Sequence, residues 1–145
     1  NDAPSTLTRL IDMDVEPFLI TSAVTAVVAQ RLIRKICLEC KEPYRPDPTL
    51  IREMGFDPAE VEHINFFHGR GCSECNYTGY KGRVGIFEML VLSEAVKELV
   101  LKRDSSAVIF RQARKDGMRT MREDGWEKVL QGVTTVEEAL SCTSH

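Results

Sequence analysis

Cysteine is the residue type in this chain whose spacing points most directly to chemistry. Four of the five cysteines form two CxxC pairs, CLEC (Cys37 and Cys40) and CSEC (Cys72 and Cys75). Each CxxC turn presents two sulfurs side by side, and two such turns complete the tetrahedral four-thiolate shell that zinc takes in structural sites. With every position filled by protein, no metal-bound water is left to activate. The expected zinc site at Cys37, Cys40, Cys72 and Cys75 is therefore structural, not catalytic. Gly69, Gly71 and Gly79 flank the second pair and allow the backbone to turn so that its amides point at the sulfurs. An iron–sulfur or disulfide arrangement and a thiol redox device are the competing readings. For redox exchange one pair would suffice, and neither pair precedes a helix in a thioredoxin-like βαβ unit.

Other chemically capable residues give weaker signals. His63 and His68 lie between the pairs, but four cysteines already fill the shell, so both are expected at the surface. His145 reads as part of a tag and Cys142 as a spare helix-face residue. The basic residues Arg31, Arg34, Lys35, Arg45, Arg52, Arg70, Lys81 and Arg83 are expected on solvated faces, where they offset the negative charge of a zinc tetrathiolate. Contact with phosphates or an acidic partner is the sharper alternative. The glycines of GYKGRVG lack the spacing of a phosphate loop and run into a strand pattern. No Ser/His/Asp set, catalytic carboxylate pair or open metal site is recognisable, so no catalytic residue is assigned.

The 145 residues are 43% hydrophobic and 28% charged, enough for one moderate core or two small ones. A net charge of −3 does not favour nucleic acid as a partner. No apolar run is long enough for a transmembrane helix. With no secretory signal recognisable, the expected compartment is the reducing cytoplasm, where paired cysteines more often bind metal than pair covalently.

These cysteines must be positioned by the elements around them. Leu7, Leu10 and Ile11 predict a first helix with Pro4 early and Ser5 or Thr6 as cap, and a second short helix starts near Glu16 and Pro17. Val24 to Ile33 reads as a strand, with a helix the alternative its periodicity leaves open, and Arg83 to Leu92 reads as a strand with Gly79 and Gly82 marking turns before it. Between them Pro43, Pro46, Pro48 and Pro58 punctuate a segment with short helices at Leu50 to Met54 and from Asp57-Pro58. The simplest geometry is an antiparallel strand pair whose connection has grown into an inserted module. Such a module has little core of its own and needs a staple. A structural zinc site can supply on the order of 10 kcal/mol. After Ser93 four helices follow, capped by Ser93, by Ser105 or Ser106, and by a Thr135–Glu138 capping box, and they predict a compact bundle.

The runs AQRLIRKICLECKEPY, GRGCSECNYTGYKGRVGIFEML and GMRTMREDGWEKVLQGVTTVEEAL resemble the C-terminal part of the secretion ATPases, the assembly motors of type II secretion and type IV pili. The resemblance covers essentially the whole chain, and the paired cysteines with CNYTGYKGR are its most specific part. The opening NDAPSTLTRLIDMDVEPFLI is similar to the segment just after that family's histidine box, which would end at Asn1, Asp2 and Ala3. The histidine, the P-loop and the acidic boxes would lie upstream, so no ATP ligand is carried over.

What the resemblance implies is an α+β chain in four parts. Residues 1–36 would end a RecA-like ATPase domain, of which they are an edge piece. Residues 37–82 would be the tetracysteine zinc module, 83–92 the returning strand of the ATPase domain, and 93–145 the C-terminal helical bundle. The parent would be a cytoplasmic homo-hexameric ATPase using ATP and Mg2+, peripheral at the inner membrane through a platform protein that the zinc module faces. This portion alone is expected to hydrolyse no ATP. The runner-up reading is a free-standing zinc-binding adaptor, and no nucleic acid partner is expected in either case.

Overall fold

The computed structural model describes residues 2–143, and the fold is α+β. The ends of two readings, the start of the histidine-box remnant at Asn1 and the tag at His145, lie outside the described residues. In chain order the elements are α1 (Ala3–Asp12), α2 (Pro17–Ala23), β1 (Ala26–Ile36), β2 (Lys41–Tyr44), α3 (Pro48–Glu53), β3 (Phe66–Gly69), β4 (Tyr80–Val91), α4 (Glu94–Leu101), α5 (Ser106–Lys115), α6 (Met121–Leu130) and α7 (Val136–Thr143). Two 3-10 turns, Pro58–Val61 and Ser73–Cys75, interrupt the loops. β1 pairs with β4, and β2 pairs antiparallel with β3 in a register that sets Lys41 opposite Gly69 and Tyr44 opposite Phe66.

The expected strands both form and both run longer than periodicity suggested. β1 continues to Ile36, immediately before Cys37, and β4 already begins at Tyr80. Gly82 therefore turns nothing: it lies inside β4 with φ +82°, a conformation glycine adopts without steric cost. Side-chain caps mark the starts of α1, α4 and α5. Ser93 and Ser105 accept the amides of Val96 and Val108, as expected. For α1 the cap is Asp2, which accepts from the Ser5 amide, while the hydroxyls of Ser5 and Thr6 bond back to the Asp2 carbonyl.

Two compact units divide the chain inside both long strands: the chain up to Gln30 with Phe87–Met121, and Arg31–Ile86 with the chain from Arg122 on. In the first, Leu7, Ile20, Leu90, Val96, Val100 and Ile109 form the core. Glu88 sits within this unit at 4% exposure and accepts the amides of Ala3 (2.9 Å) and Met121 (3.1 Å). One carboxylate thus caps the first residue of α1 and the first residue of α6, where helix dipoles favour negative charge.

In the second unit Ile51 and Phe66 of the proline-rich segment share a core with Val129, Val136, Ala139 and Leu140, and Trp126 stacks on Phe56 at 4.5 Å. The segment between the cysteine pairs completes its core with the last two helices. Of the four C-terminal helices, α4 and α5 pack in the first unit and α7 in the second.

α7 is latched to the second unit through its first turn. Thr135 accepts the Glu138 amide, which is half of the expected capping box. The Glu138 carboxylate goes elsewhere: it takes the Arg34 amide at 2.7 Å and the Arg34 guanidinium at 2.9 Å. That guanidinium lies 4.1 Å over the Tyr80 ring, and the Tyr80 hydroxyl meets Thr135 at 2.7 Å. Burial raises the Glu138 pKa, but its bonds to Arg34 outweigh this and hold it below the ordinary carboxylate value.

Two outcomes are expected. Glu88→Ala leaves two helix-start amides without their acceptor and destabilises the protein by about 3 kcal/mol, with Glu88→Gln recovering part of the loss, as read from urea unfolding. A loss for Glu88→Ala under about 0.5 kcal/mol would contradict this role. Glu138→Gln costs about 1–3 kcal/mol at neutral pH. Because the folded-state pKa of Glu138 is depressed, its contribution is complete above about pH 5 and is lost as pH falls through the folded value. The gap between wild type and Glu138→Gln in urea midpoints therefore closes on acidification.

Candidate metal centre

The four paired cysteines sit where strand ends meet. Cys37 follows β1, Cys40 precedes β2, and between β3 and β4 Cys72 immediately precedes a 3-10 turn that Cys75 ends. Two backbone hydrogen bonds fix the junction, from the Cys37 amide to the Gly79 carbonyl (3.0 Å) and from the Arg70 amide to the Cys40 carbonyl (3.0 Å). Gly69 and Gly79 make this approach possible. A Cβ on Gly69 would fall 2.1 Å from the Gly79 carbonyl oxygen, and one on Gly79 would fall 2.5 Å from that of Gly69. Gly79 also has φ +82°, so only glycine meets both demands without strain.

The sulfurs converge as the spacing predicts. Cys37–Cys72, Cys40–Cys75 and Cys72–Cys75 are each 3.8 Å apart, and the four sulfurs lie within 4.8 Å of one another. A tetrahedron with bonds of about 2.3 Å to sulfur has edges of about 3.8 Å. A disulfide needs about 2.05 Å, so the cysteines are free thiols. Three are buried and Cys72 is half-buried. Amides aim at the sulfurs: Gly71 donates to Cys40 at 3.2 Å, Gly79 to Cys75 at 3.2 Å and Cys72 to Cys75 at 3.3 Å. These bonds stabilise thiolate character, as in the outer shell of metal sites. Burial pushes the Cys40 thiol up to about 11. Burial also works against ionisation at Cys75, but the Cys72 and Gly79 amides prevail and hold it down to about 6. The four cysteines could hold one metal ion of tetrahedral preference, and with all four bound no position remains for water or substrate.

The remaining residues singled out in the sequence lie outside this cluster. His68 pairs with Glu42 at 3.0 Å and stacks on Tyr44, and His63 is exposed. Half-buried Cys142 lies on α7, its carbonyl accepting from Arg31 at 3.0 Å. Several cations have protein partners: Arg34 holds Glu138, Lys81 lies 3.5 Å from Glu74, and Arg45 bonds the Val61 and Glu62 carbonyls while covering the Phe66 ring. The sequence reading missed Asn76 and Tyr77, whose φ values of +55° and +61° turn the chain out of the second knuckle. Asn76 tolerates that region and was a usable signal, whereas Tyr77 carried none. No helix among the described residues is long and apolar enough to cross a membrane.

Gly79→Ala is expected to cost about 3 kcal/mol or more, because it adds both a backbone collision and a left-handed strain. Gly55 has φ +99° with open space around it, so Gly55→Ala incurs the strain alone and serves as the control. Equal urea midpoints for the two variants would show that the Gly69–Gly79 approach does not hold the knuckles.

Comparison with known proteins agrees with this site's surroundings along the whole chain. The family model for Type II/IV secretion system protein matches residues 1–141. The chain is 44% identical over 143 residues to "Type IV pilus assembly ATPase PilB" of Thermus thermophilus, covering 99% of this chain and 16% of that protein. It is 45% identical over 143 residues to "Type II secretion system protein E" of Pseudomonas aeruginosa, covering 99% of this chain and 28% of that protein. It is 39% identical over 145 residues to "Type II secretion system ATPase E" of Vibrio cholerae, covering all of this chain and again 28% of the relative. The chain thus spans less than a third of the length of each of these relatives. It belongs to the Type II/IV secretion system protein family.

Proposed function

We propose that this chain is the C-terminal, non-catalytic portion of a hexameric motor ATPase that powers type II secretion or type IV pilus assembly in the cytoplasm, and that Cys37, Cys40, Cys72 and Cys75 hold a structural zinc ion. The observation that carries the reading is the four-sulfur cluster within a full-length match to ATPases of these two machines. When bound, zinc would cross-link the chain at the ends of four strands and add to the packing of this segment on the last two helices. ATP and Mg2+ would bind in the parent outside these residues. Residues 1–36 and 83–92 would belong to a RecA-like ATPase domain, 37–82 would form the zinc module, and 93–145 would be the helical remainder.

In this reading the chain's own residues do mechanical work. The paired β1 and β4 lead into and out of the module, and the Glu138–Arg34 latch ties α7 to the base of β1. A force from nucleotide-driven domain motion would pass along the two strands to the module, and through the module's surface to a membrane platform protein. Rigidity at the cysteine knuckles is what such transmission requires.

The test uses the full-length gene product in a strain lacking it. Cys72→Ser is expected to abolish secretion or piliation while nucleotide binding persists. A Cys72→Ser protein that supports normal assembly, or a full-length product without a P-loop, would contradict the proposal.

A further inference from the structure

The four sulfurs of the cluster are not equivalent. Cys37 is fully buried and Cys40 and Cys75 are each 5% exposed, whereas Cys72 is only half-buried. Their hydrogen bonds are as uneven. Gly71 donates its amide to Cys40, and Gly79 and Cys72 donate theirs to Cys75. Among the described residues no backbone amide donates to the Cys72 sulfur. An N–H on a thiolate stabilises its charge, and a stabilised thiolate is a weaker nucleophile. Cys37 likewise takes no amide, but it is closed to solvent. Cys72 alone joins access with an unshielded sulfur.

Attack by peroxide on cysteine follows thiolate character and exposure, and a nearby second thiol makes the oxidation reversible. Both conditions are met here. Metal binding requires the ligating thiols as thiolates, and Cys75 lies 3.8 Å from Cys72, at the other end of the same 3-10 turn. We propose that Cys72 is a site of oxidative modification by hydrogen peroxide, with Cys75 as the thiol that resolves it to a disulfide. The inference rests on the structural zinc reading above. The Cys72 thiolate attacks one peroxide oxygen, the O–O bond breaks, and the departing hydroxide takes a proton to become water. The sulfur is thereby oxidised by two electrons to a sulfenic acid as the peroxide is reduced. The Cys75 thiolate then attacks that sulfur. An S–S bond forms as the S–O bond breaks, and the second hydroxide is protonated in turn. Together, two thiolates, one hydrogen peroxide and two protons give one disulfide and two waters. Cys37 is equally close to Cys72, at 3.8 Å, but belongs to the other knuckle. Cys75 stays tethered to Cys72 through Ser73 and Glu74 once the four-sulfur shell opens, and its sulfur takes the Cys72 amide at 3.3 Å. Only Cys37 and Cys40 then remain as ligands, too few to retain a zinc ion against a chelator. Oxidation would unfasten the junction of the strand ends, and reduction with zinc present would restore it.

The test uses the full-length gene product, assayed for zinc and then exposed to hydrogen peroxide with and without dimedone, which traps sulfenic acids. Released zinc is followed with a chromogenic chelator, and modified cysteines are located by peptide mass spectrometry after alkylation. The early dimedone adduct is expected on Cys72, at least about tenfold over Cys37, Cys40 and Cys75. Without dimedone, zinc release keeps step with a Cys72–Cys75 disulfide, and dithiothreitol with added zinc reverses both. Adducts spread evenly over the four cysteines, or a disulfide that leaves out Cys72, would overturn the proposal. So would zinc retained with all four thiols intact under millimolar peroxide, or a loss that reductant and zinc do not reverse. A starting protein without zinc would count against the zinc reading instead, and the position of the adduct among the four thiols would still decide for or against Cys72.

Discussion

The close approach of the Gly69 and Gly79 backbones is the constraint on which the cysteine module depends. It brings the end of β3 against the start of β4, so that one CxxC turn can face the other. A side chain at either position would collide with the opposite backbone and force the two segments that frame Cys72 and Cys75 apart. The amides released by the tight turns are then the ones that point at Cys40 and Cys75. Backbone geometry, sulfur geometry and thiolate stabilisation therefore arise from one local packing requirement.

Two carboxylates organise the rest by taking backbone amides instead of solvent. Glu88 joins two helix starts in the first unit, and Glu138 joins α7 to β1 in the second. Each satisfies polar groups that burial would otherwise make costly. Each is a short, charge-assisted contact between elements far apart in sequence.

Much of this was legible in the residues. The CxxC pairs announced the cluster because sulfur chemistry demands that spacing, and Ser93 and Ser105 announced their helices because capping is local. What was not legible was long-range. Nothing local says that Glu138 will leave its own helix start for Arg34, or that Glu88 will sit inward in a strand among aliphatics. Each C-terminal helix was readable, but its packing partners lie far away in sequence, α4 and α5 with the first helices and α7 with the proline-rich segment. Gly82 misled because a glycine inside a strand and a glycine at a turn look alike in one sequence.

Metal analysis of the protein purified without added metal, combined with X-ray absorption at the metal edge, tests the central claim most directly. One zinc per chain in a shell of four sulfurs at about 2.3 Å is the expected result. Metal-free protein that keeps its fold with all four thiols reduced, or a shell containing nitrogen or oxygen, would contradict it.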